Sequence, residues 1–420
     1  MVGIVASFGI LFSAILGTPL FIIMGLAALV AFYFSGEPTV AVAIEIYRIA
    51  DAPTLLTIPL FTFAGYMMAE SNSPKRILDF AEALFCWLPV GVAIVSLIVC
   101  AFFTAFTGAS GVTIIALGGL LFPILKNDNY SDEFSLGLIT TSGSLGLLFP
   151  PSLPIILYGL VAKVDIDDLF KAGIVPGILI IFILSLWAVR NADFKNYKKK
   201  PFSPSRLWQS FKEGYLELIM PVGVLVGIYG GFVTPSEASA LTAFYIFIIE
   251  FFVYKDLKIK KDLPRIIKES MTLVGAILLI LCCALGITNW LVDEEIPLQI
   301  FDLMREYLSN KYAFLIFLNI FLLIVGCMMD IFSAIMVVVP LIIPIAAEFD
   351  IHPVHLAIIF LTNLEIGYIT PPVGINLFIS SSRFNRPVTY LYKATFPYLI
   401  LMLIALILIT YLPKLSLFLL

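Results

Sequence analysis

Two apolar stretches constrain this chain more than any other feature: Leu138–Tyr158, LITTSGSLGLLFPPSLPIILY, and Ile359–Ile379, IFLTNLEIGYITPPVGINLFI. Each is long enough to enter a membrane, and each is broken midway by small polar residues, a glycine and a Pro-Pro pair. Pro150–Pro151 and Pro371–Pro372 lie 221 residues apart. At that offset, without a gap, Gly65 meets Gly286, Phe80 meets Phe301, Pro123 meets Pro344, Thr141 meets Thr362, Gly146 meets Gly367 and Pro176 meets Pro397. Such a match in residues that turn or break helices marks an internal repeat. Interrupted apolar segments at corresponding positions of two halves are the sequence mark of a transport site at the bilayer midplane.

Composition excludes a soluble fold. Of 420 residues, 61% are hydrophobic and only 13% charged, about half the charge of an ordinary globular domain. The chain therefore reads as an all-α polytopic membrane protein. Its net charge of −4 sits in loops and says little. The N-terminus, MVGIVASFGILF, lacks a basic leader region, so the first apolar run reads as a retained span. Cys86, Cys100, Cys282, Cys283 and Cys327 form no C-x-x-C pair and read as small buried hydrophobes. His352 and His355 read as solvated loop residues rather than a metal pair, since no third ligand supports one.

Taken in order, residues 1–190 form a first repeat, 191–212 a basic cytoplasmic linker, and 213–420 a second repeat. The mixed stretch Glu70–Trp87 predicts an amphipathic interfacial helix, as does Asp293–Lys311. Residues 88–125 are too short for two spans and a turn. They predict a re-entrant helical hairpin, with a polar tip at Thr104–Thr113 that carries Thr107, Gly108, Ser110 and Thr113. Residues 312–347 predict its counterpart, with a tip at Gly326–Ser333 that carries Asp330 and Ser333. The broken helices are placed at 134–163 and 354–382. The basic runs Arg190–Lys212 and Lys255–Lys268, with Arg383 and Arg386, are assigned to the cytoplasm. Each repeat then holds five crossings and one hairpin, so the two repeats are inverted, and both termini fall outside. The loop Lys126–Glu133, assigned inside, carries more acid than base, but acids weigh little in this rule.

A broken helix exposes carbonyls, which suit Na⁺, and amide ends, which attract anions. Thr140, Thr141, Ser142, Gly143 and Ser144 lie at the first break; Thr362, Asn363, Glu365, Gly367 and Thr370 lie at the second. Asp330 and Glu365 read as the carboxylates at the centre of apolar runs, where a charge costs roughly 2.5–3.5 kcal/mol on insertion scales. Glu237, just after a turn, reads as part of a helix N-terminal cap.

The motifs IPLFTFAGYMMAES (58–71), GSLGLLFPPS (143–152), LFKAGIVPG (169–177), GGFVTPSEASA (230–240) and NLEIGYITPPVGINLF (363–378) resemble the large membrane subunit of tripartite ATP-independent periplasmic (TRAP) transporters. They spread over nearly the whole chain. The resemblance implies an inner-membrane carrier without enzymatic activity or an organic cofactor, driven by Na⁺ and moving as an elevator. It also implies a small membrane subunit and a periplasmic protein that delivers an organic acid, and no nucleic-acid partner. On that reading Thr107, Ser110, Ser144, Ser333 and Asn376 face the organic acid. Gly108, Ser142, Gly143, Gly146, Asp330, Thr362, Asn363, Glu365, Gly367 and Thr370 surround Na⁺. The family's first hairpin tip usually carries Ser-Gly-Ser, where this chain has Thr107-Gly108-Ala109-Ser110. A stand-alone Na⁺/carboxylate carrier of similar design is the alternative. A membrane-embedded enzyme is disfavoured, because the apolar runs hold no Ser/Lys, Ser/His, paired-aspartate or H-E-x-x-H set.

Overall fold

The computed structural model describes the chain apart from residues 1–8, 11, 14–17, 41, 45–46, 48–52, 86, 89, 193–201, 297–298 and 300–309. Among the described residues it is helical, with no strand. The first half contains α1 (Leu20–Ser35), α2 (Thr57–Glu70), α3 (Ser73–Phe85), α4 (Gly91–Thr107), α5 (Ser110–Asn127), α6 (Asp132–Ser142), α7 (Leu153–Ala162) and α8 (Ile166–Asn191). A 3-10 turn, Leu145–Leu148, separates α6 from α7. The second half contains α9 (Pro204–Tyr229), α10 (Pro235–Ile248), α11 (Asp262–Asp293), α12 (Lys311–Met328), α13 (Ile331–Glu348), α14 (Pro353–Gly367), α15 (Ile375–Phe384) and α16 (Val388–Tyr411). Seven of these helices are long and apolar enough to cross a membrane. The α6–α7 pair, bent by 44° at its break, makes an eighth.

Local chemistry sets the helix ends. Ser131 accepts from the Phe134 amide at 3.1 Å and starts α6. Asp165 accepts from the Asp167 amide at 2.8 Å and starts α8. Thr234 and Glu237 close a reciprocal capping box on α10, the role expected of Glu237. Gly108 turns the first hairpin in the left-handed region, φ +63°, and its amide returns to the Thr104 carbonyl at 2.8 Å.

Three expectations need correction. Cys282 and Cys283 of α11 are half-buried rather than buried, because much of α11 faces outward, whereas Cys100 and Cys327 are buried as expected. Helix α9 begins at Pro204, inside the stretch read as a linker, because Ser203 caps the Arg206 amide and Pro204 fits the first turn. His355 is not a solvated loop residue. Pro353 opens α14 two residues earlier, and His355 is 2% exposed, its ring nitrogens 3.2 Å from Ser416 Oγ and the Thr410 carbonyl. The basic cluster Lys195–Lys200, most of the amphipathic stretch before Lys311, and Cys86 lie outside the described residues.

Adding 221 to the bounds of α5 gives those of α13 to the residue. The packing repeats as well. Helix α5 packs on α15, and the equivalent α13 packs on α7; α6 packs on α16, and the equivalent α14 packs on α8. Each half thus lays a hairpin arm on the broken helix of the other. Every residue of Phe134–Ser142 and of Val354–Gly367 is buried, so both broken helices lie at the core. Helices α1, α2, α10 and α11 pack chiefly on one another, and α9 joins them through α10, with α3 bridging α9 to α4. Their outer faces carry exposed Ile219, Val222, Val226, Leu241 and Phe244, an apolar surface suited to lipid.

The acidic loop after α5 also finds its balance. Asp132 pairs with Lys126 at 2.6 Å and with Arg386 at 2.9 Å, which puts the loop and the α15 terminus at one end of the molecule. Single cysteines at Asp128 and Arg383 are therefore expected to be labelled by an impermeant reagent from the same side, the cytoplasmic one, and a cysteine at Glu294 from the opposite side. Labelling of Asp128 and Arg383 from opposite sides would sink this arrangement.

Candidate functional site

The first hairpin is stitched to the first break. The Thr104 hydroxyl lies 2.7 Å from that of Thr113 and donates to the Gly143 carbonyl at 2.8 Å. A Cβ on Gly143 would meet Ile114 and, at 3.3 Å, the Ser110 carbonyl. One on Gly146 would strike the backbone of Ala101 and Ala105, and one on Gly108 would strike Leu153. Gly146 is needed because backbone crosses backbone there, and Gly108 because its φ of +63° disfavours a side chain. Thr107 stays within the tip, its hydroxyl 3.5 Å from the Ala109 carbonyl and from Thr113. Ser142 and Ser144 bond back to the Ile139 and Thr141 carbonyls, at 3.3 and 3.2 Å. Thr141 Oγ1 and Ser152 Oγ are buried without a hydrogen-bond partner.

The second hairpin meets the second break differently. Asp330 caps α13, accepting from the Phe332 and Ser333 amides at 3.0 Å each, and the Ser333 hydroxyl donates to it at 2.5 Å. The Tyr368 hydroxyl accepts from the Ile331 amide at 2.8 Å, and the Gly374 amide donates to the Cys327 carbonyl at 3.1 Å. Gly367 crosses Gly326: a Cβ on Gly367 would lie 2.5 Å from Gly326 Cα and 2.6 Å from its carbonyl oxygen. Thr362 and Thr370 bond back to the Ile358 and Ile366 carbonyls. The Asn363 amide nitrogen donates to Asn319 Oδ1 at 2.7 Å and to the Ile359 carbonyl at 2.8 Å. Asn319 in turn reaches Thr410 Oγ1 at 3.2 Å. Asn363 thus belongs to a polar link between helices, with its Oδ1 unpartnered.

The two breaks themselves are joined. The Thr140 hydroxyl donates to Ser380 Oγ at 2.9 Å, and Asn376 Nδ2 donates to the Thr140 carbonyl at 3.2 Å. Helix α14 also packs on the 3-10 turn of the first break. Asn376 Oδ1 and both oxygens of Glu365 are buried without a partner, and Glu365 is 0% exposed. An unpaired carboxylate at full burial is costly, so a cation or a proton must neutralise Glu365. Together with Thr141, Ser152 and Asn363, these oxygens are candidate ligands for a hard monovalent cation or acceptors for a solute donor. Ser152 and Asn319 were not singled out from sequence, and Thr104 and Gly326 entered it only as the first residues of the two hairpin tips.

The family model for the DctM component of the tripartite ATP-independent periplasmic transporter matches residues 8–415. The chain belongs to the DctM family. It is a large permease component of a TRAP transporter, a multi-span solute-transport protein and not an enzyme. It is 34% identical to the C4-dicarboxylate TRAP transporter large permease protein of Pseudomonas aeruginosa over 391 residues, covering 93% of this chain and 91% of that one. It is 33% identical to the protein of the same name from Rhodobacter capsulatus over 427 residues, covering 98% and 97%. A fused isethionate permease, DctMQ, of Oleidesulfovibrio alaskensis is 34% identical over 96% of this chain and 64% of its own. The YdaH transporter of Alcanivorax borkumensis shares the fold, with a TM-score of 0.62 at 13% identity, over 88% of this chain and 86% of that one.

Proposed function

We propose that this DctM protein carries a small organic anion across a bacterial inner membrane, coupled to Na⁺. It would work with a small membrane subunit and a periplasmic binding protein. One observation carries the reading: two broken helices, one from each half of the chain, are bonded to each other through Thr140, Ser380 and Asn376 in the apolar interior, and these helices also hold buried, unpartnered oxygens of Thr141, Asn376 and Glu365. Relatives named for C4-dicarboxylates, isethionate and sialic acid support an anionic substrate. The fused relative supports a small-subunit partner. Amide ends at the breaks suit the anion, and carbonyls and hydroxyls suit Na⁺.

An elevator motion is part of the reading. The core of hairpins and broken helices packs largely on itself, while α1, α2, α10 and α11 form a frame that meets it through α2 on α4 and α11 on α13. The equivalent proline pairs differ: Pro150 and Pro151 are buried, whereas Pro371 and Pro372 are exposed. One covered break and one open break is the arrangement an alternating-access carrier adopts at either end of its stroke.

The test uses the purified full chain. Replacing K⁺ by Na⁺ at constant ionic strength is expected to raise its apparent melting midpoint, since a ligand at 100 times its Kd stabilises by about 2.7 kcal/mol. Glu365→Gln keeps the shape, removes the charge and is expected to weaken that response. In proteoliposomes with both partners, uptake of a labelled C4-dicarboxylate is expected to require a Na⁺ gradient and no ATP. Equal midpoints in Na⁺ and K⁺, with uptake undiminished in Na⁺-free buffer, would remove Na⁺ coupling from the reading.

A further inference from the structure

Besides Glu365, two further glutamates are fully buried among the described residues. Glu217 on α9 and Glu250 in the π-turn that ends α10 are both 0% exposed. They meet at the root of α3, the helix that leads into the first hairpin. Arg76 of α3 pairs with both, with its Nε 2.8 and 3.0 Å from the two Glu217 oxygens and an Nη at 3.4 Å from Glu250 Oε2. The other Nη reaches Asp256 at 2.7 Å, and the guanidinium lies over the Tyr254 ring, 3.9 Å from its centroid. The Asn72 amide donates to Asp256 at 3.1 Å. Helix α2 also packs on α10, but its Glu70 is engaged by Arg265 at 2.5 Å. The charged and titratable groups facing Glu250 are therefore Glu217, Arg76, Asp256 and Tyr254.

The proton count decides the state of this cluster. The Ser73 hydroxyl lies 2.7 Å from Glu217 Oε1 and 2.7 Å from Glu250 Oε1. A serine hydroxyl has one proton and can donate to only one of them. The other contact needs a carboxylic acid as donor. Glu217 Oε1 already faces two guanidinium N–H groups, which a carboxylic O–H there would oppose. Glu250 touches Arg76 only at the edge of bonding range.

We infer that Glu250 is a neutral carboxylic acid that donates to Ser73, which donates to the Glu217 carboxylate held by Arg76, forming a proton-dependent latch that pins α3 to α9 and α10. The latch reaches beyond ion coupling at the two breaks, because it joins the helix feeding the first hairpin to the outer frame and uses none of the oxygens at the breaks. Loss of the Glu250 proton would set two buried carboxylates on one hydroxyl with one cation between them, and the root of α3 would loosen towards alkaline pH.

Two isosteric variants of the full chain test this, compared with the wild type across pH. In Glu250→Gln the amide N–H replaces the acid O–H, so the variant is expected to melt with the wild type at neutral pH and to resist the alkaline fall that the wild type shows. Glu217→Gln is expected to lose several degrees at neutral pH, because Arg76 loses its carboxylate. Infrared difference spectra at neutral pH, wild type minus Glu250→Gln, should show a protonated-carboxyl carbonyl band, since any contribution of Glu365 is common to both proteins and cancels. A Glu250→Gln midpoint lowered as far as that of Glu217→Gln, parallel alkaline falls in wild type and Glu250→Gln, or protonated-carboxyl absorption undiminished in Glu250→Gln would each overturn the latch. Glu250→Gln reports on it even if Glu217→Gln does not fold.

Discussion

Gly367→Val is expected to abolish transport and to lower the yield of folded protein sharply. The added Cβ would meet Gly326 Cα at 2.5 Å and its carbonyl oxygen at 2.6 Å, and both are backbone atoms. No rotamer change relieves a clash with backbone, so α12 and α14 must separate. That separation would break the close contact of the second hairpin with the second break, and would strain the neighbouring Gly374–Cys327 and Ile331–Tyr368 bonds. Overpacked cores typically lose about 1–3 kcal/mol, and a backbone clash of this kind belongs at or above the upper end. The reciprocal change is expected to be milder. A Cβ on Gly326 would stand 3.0 Å from Leu364 Cα and 3.3 Å from Gly367 Cα, which a shift of a few tenths of an ångström accommodates. Fluorescence-detected size exclusion for folded yield, with uptake by reconstituted protein, ranks the two. A Gly326→Ala protein worse than Gly367→Ala would mean that the crossing is not organised around Gly367.

Arg76→Met is expected to cost about as much as the loss of any single side chain in the protein. Glu217 would be left fully buried without its cation. Breaking a buried ion pair from one side typically costs about 3–5 kcal/mol. The guanidinium also lies over Tyr254, and at 3.9 Å from the ring centroid the lost cation–π contact adds roughly 0.5–2 kcal/mol. Asp256 is less affected, because it is partly exposed and can hydrate. Removing both members of the pair avoids the orphaned charge, so Arg76→Met with Glu217→Gln is expected to recover much of the melting midpoint lost in Arg76→Met alone. Strict additivity of the two single losses would argue that Arg76 and Glu217 are not energetically paired.

The membrane class, the repeat and the positions of the helix ends at both breaks were legible in the chain, because each depends on local properties. Apolar length sets what can span a bilayer. Proline, glycine and capping residues set where helices stop, and this is why the expected second hairpin, 312–347, and its observed arms, 311–348, nearly coincide. The fate of individual polar groups was not legible. Thr362, Thr370, Ser142 and Ser144 look alike in sequence to Thr140 and Thr141, yet the first four bond back within their own helices, Thr140 crosses to Ser380, and Thr141 is left without a partner.

The sequence by itself determined that this chain lives in a membrane, that its two halves share one plan, and that each half is interrupted at an equivalent Pro-Pro pair. Only the tertiary structure decided which faces turn inward and which side chains meet. It brought Arg76 to Glu217 and Glu250 across 141 and 174 residues, and Asn376 to Thr140 across 236. The reason is the solvent. In water an apolar stripe marks the buried face of a helix, but lipid tails are as apolar as leucine, so lipid-facing and core-facing surfaces carry the same residues. Hydropathy then tells a helix that it belongs in the membrane, and packing alone tells it which way to face.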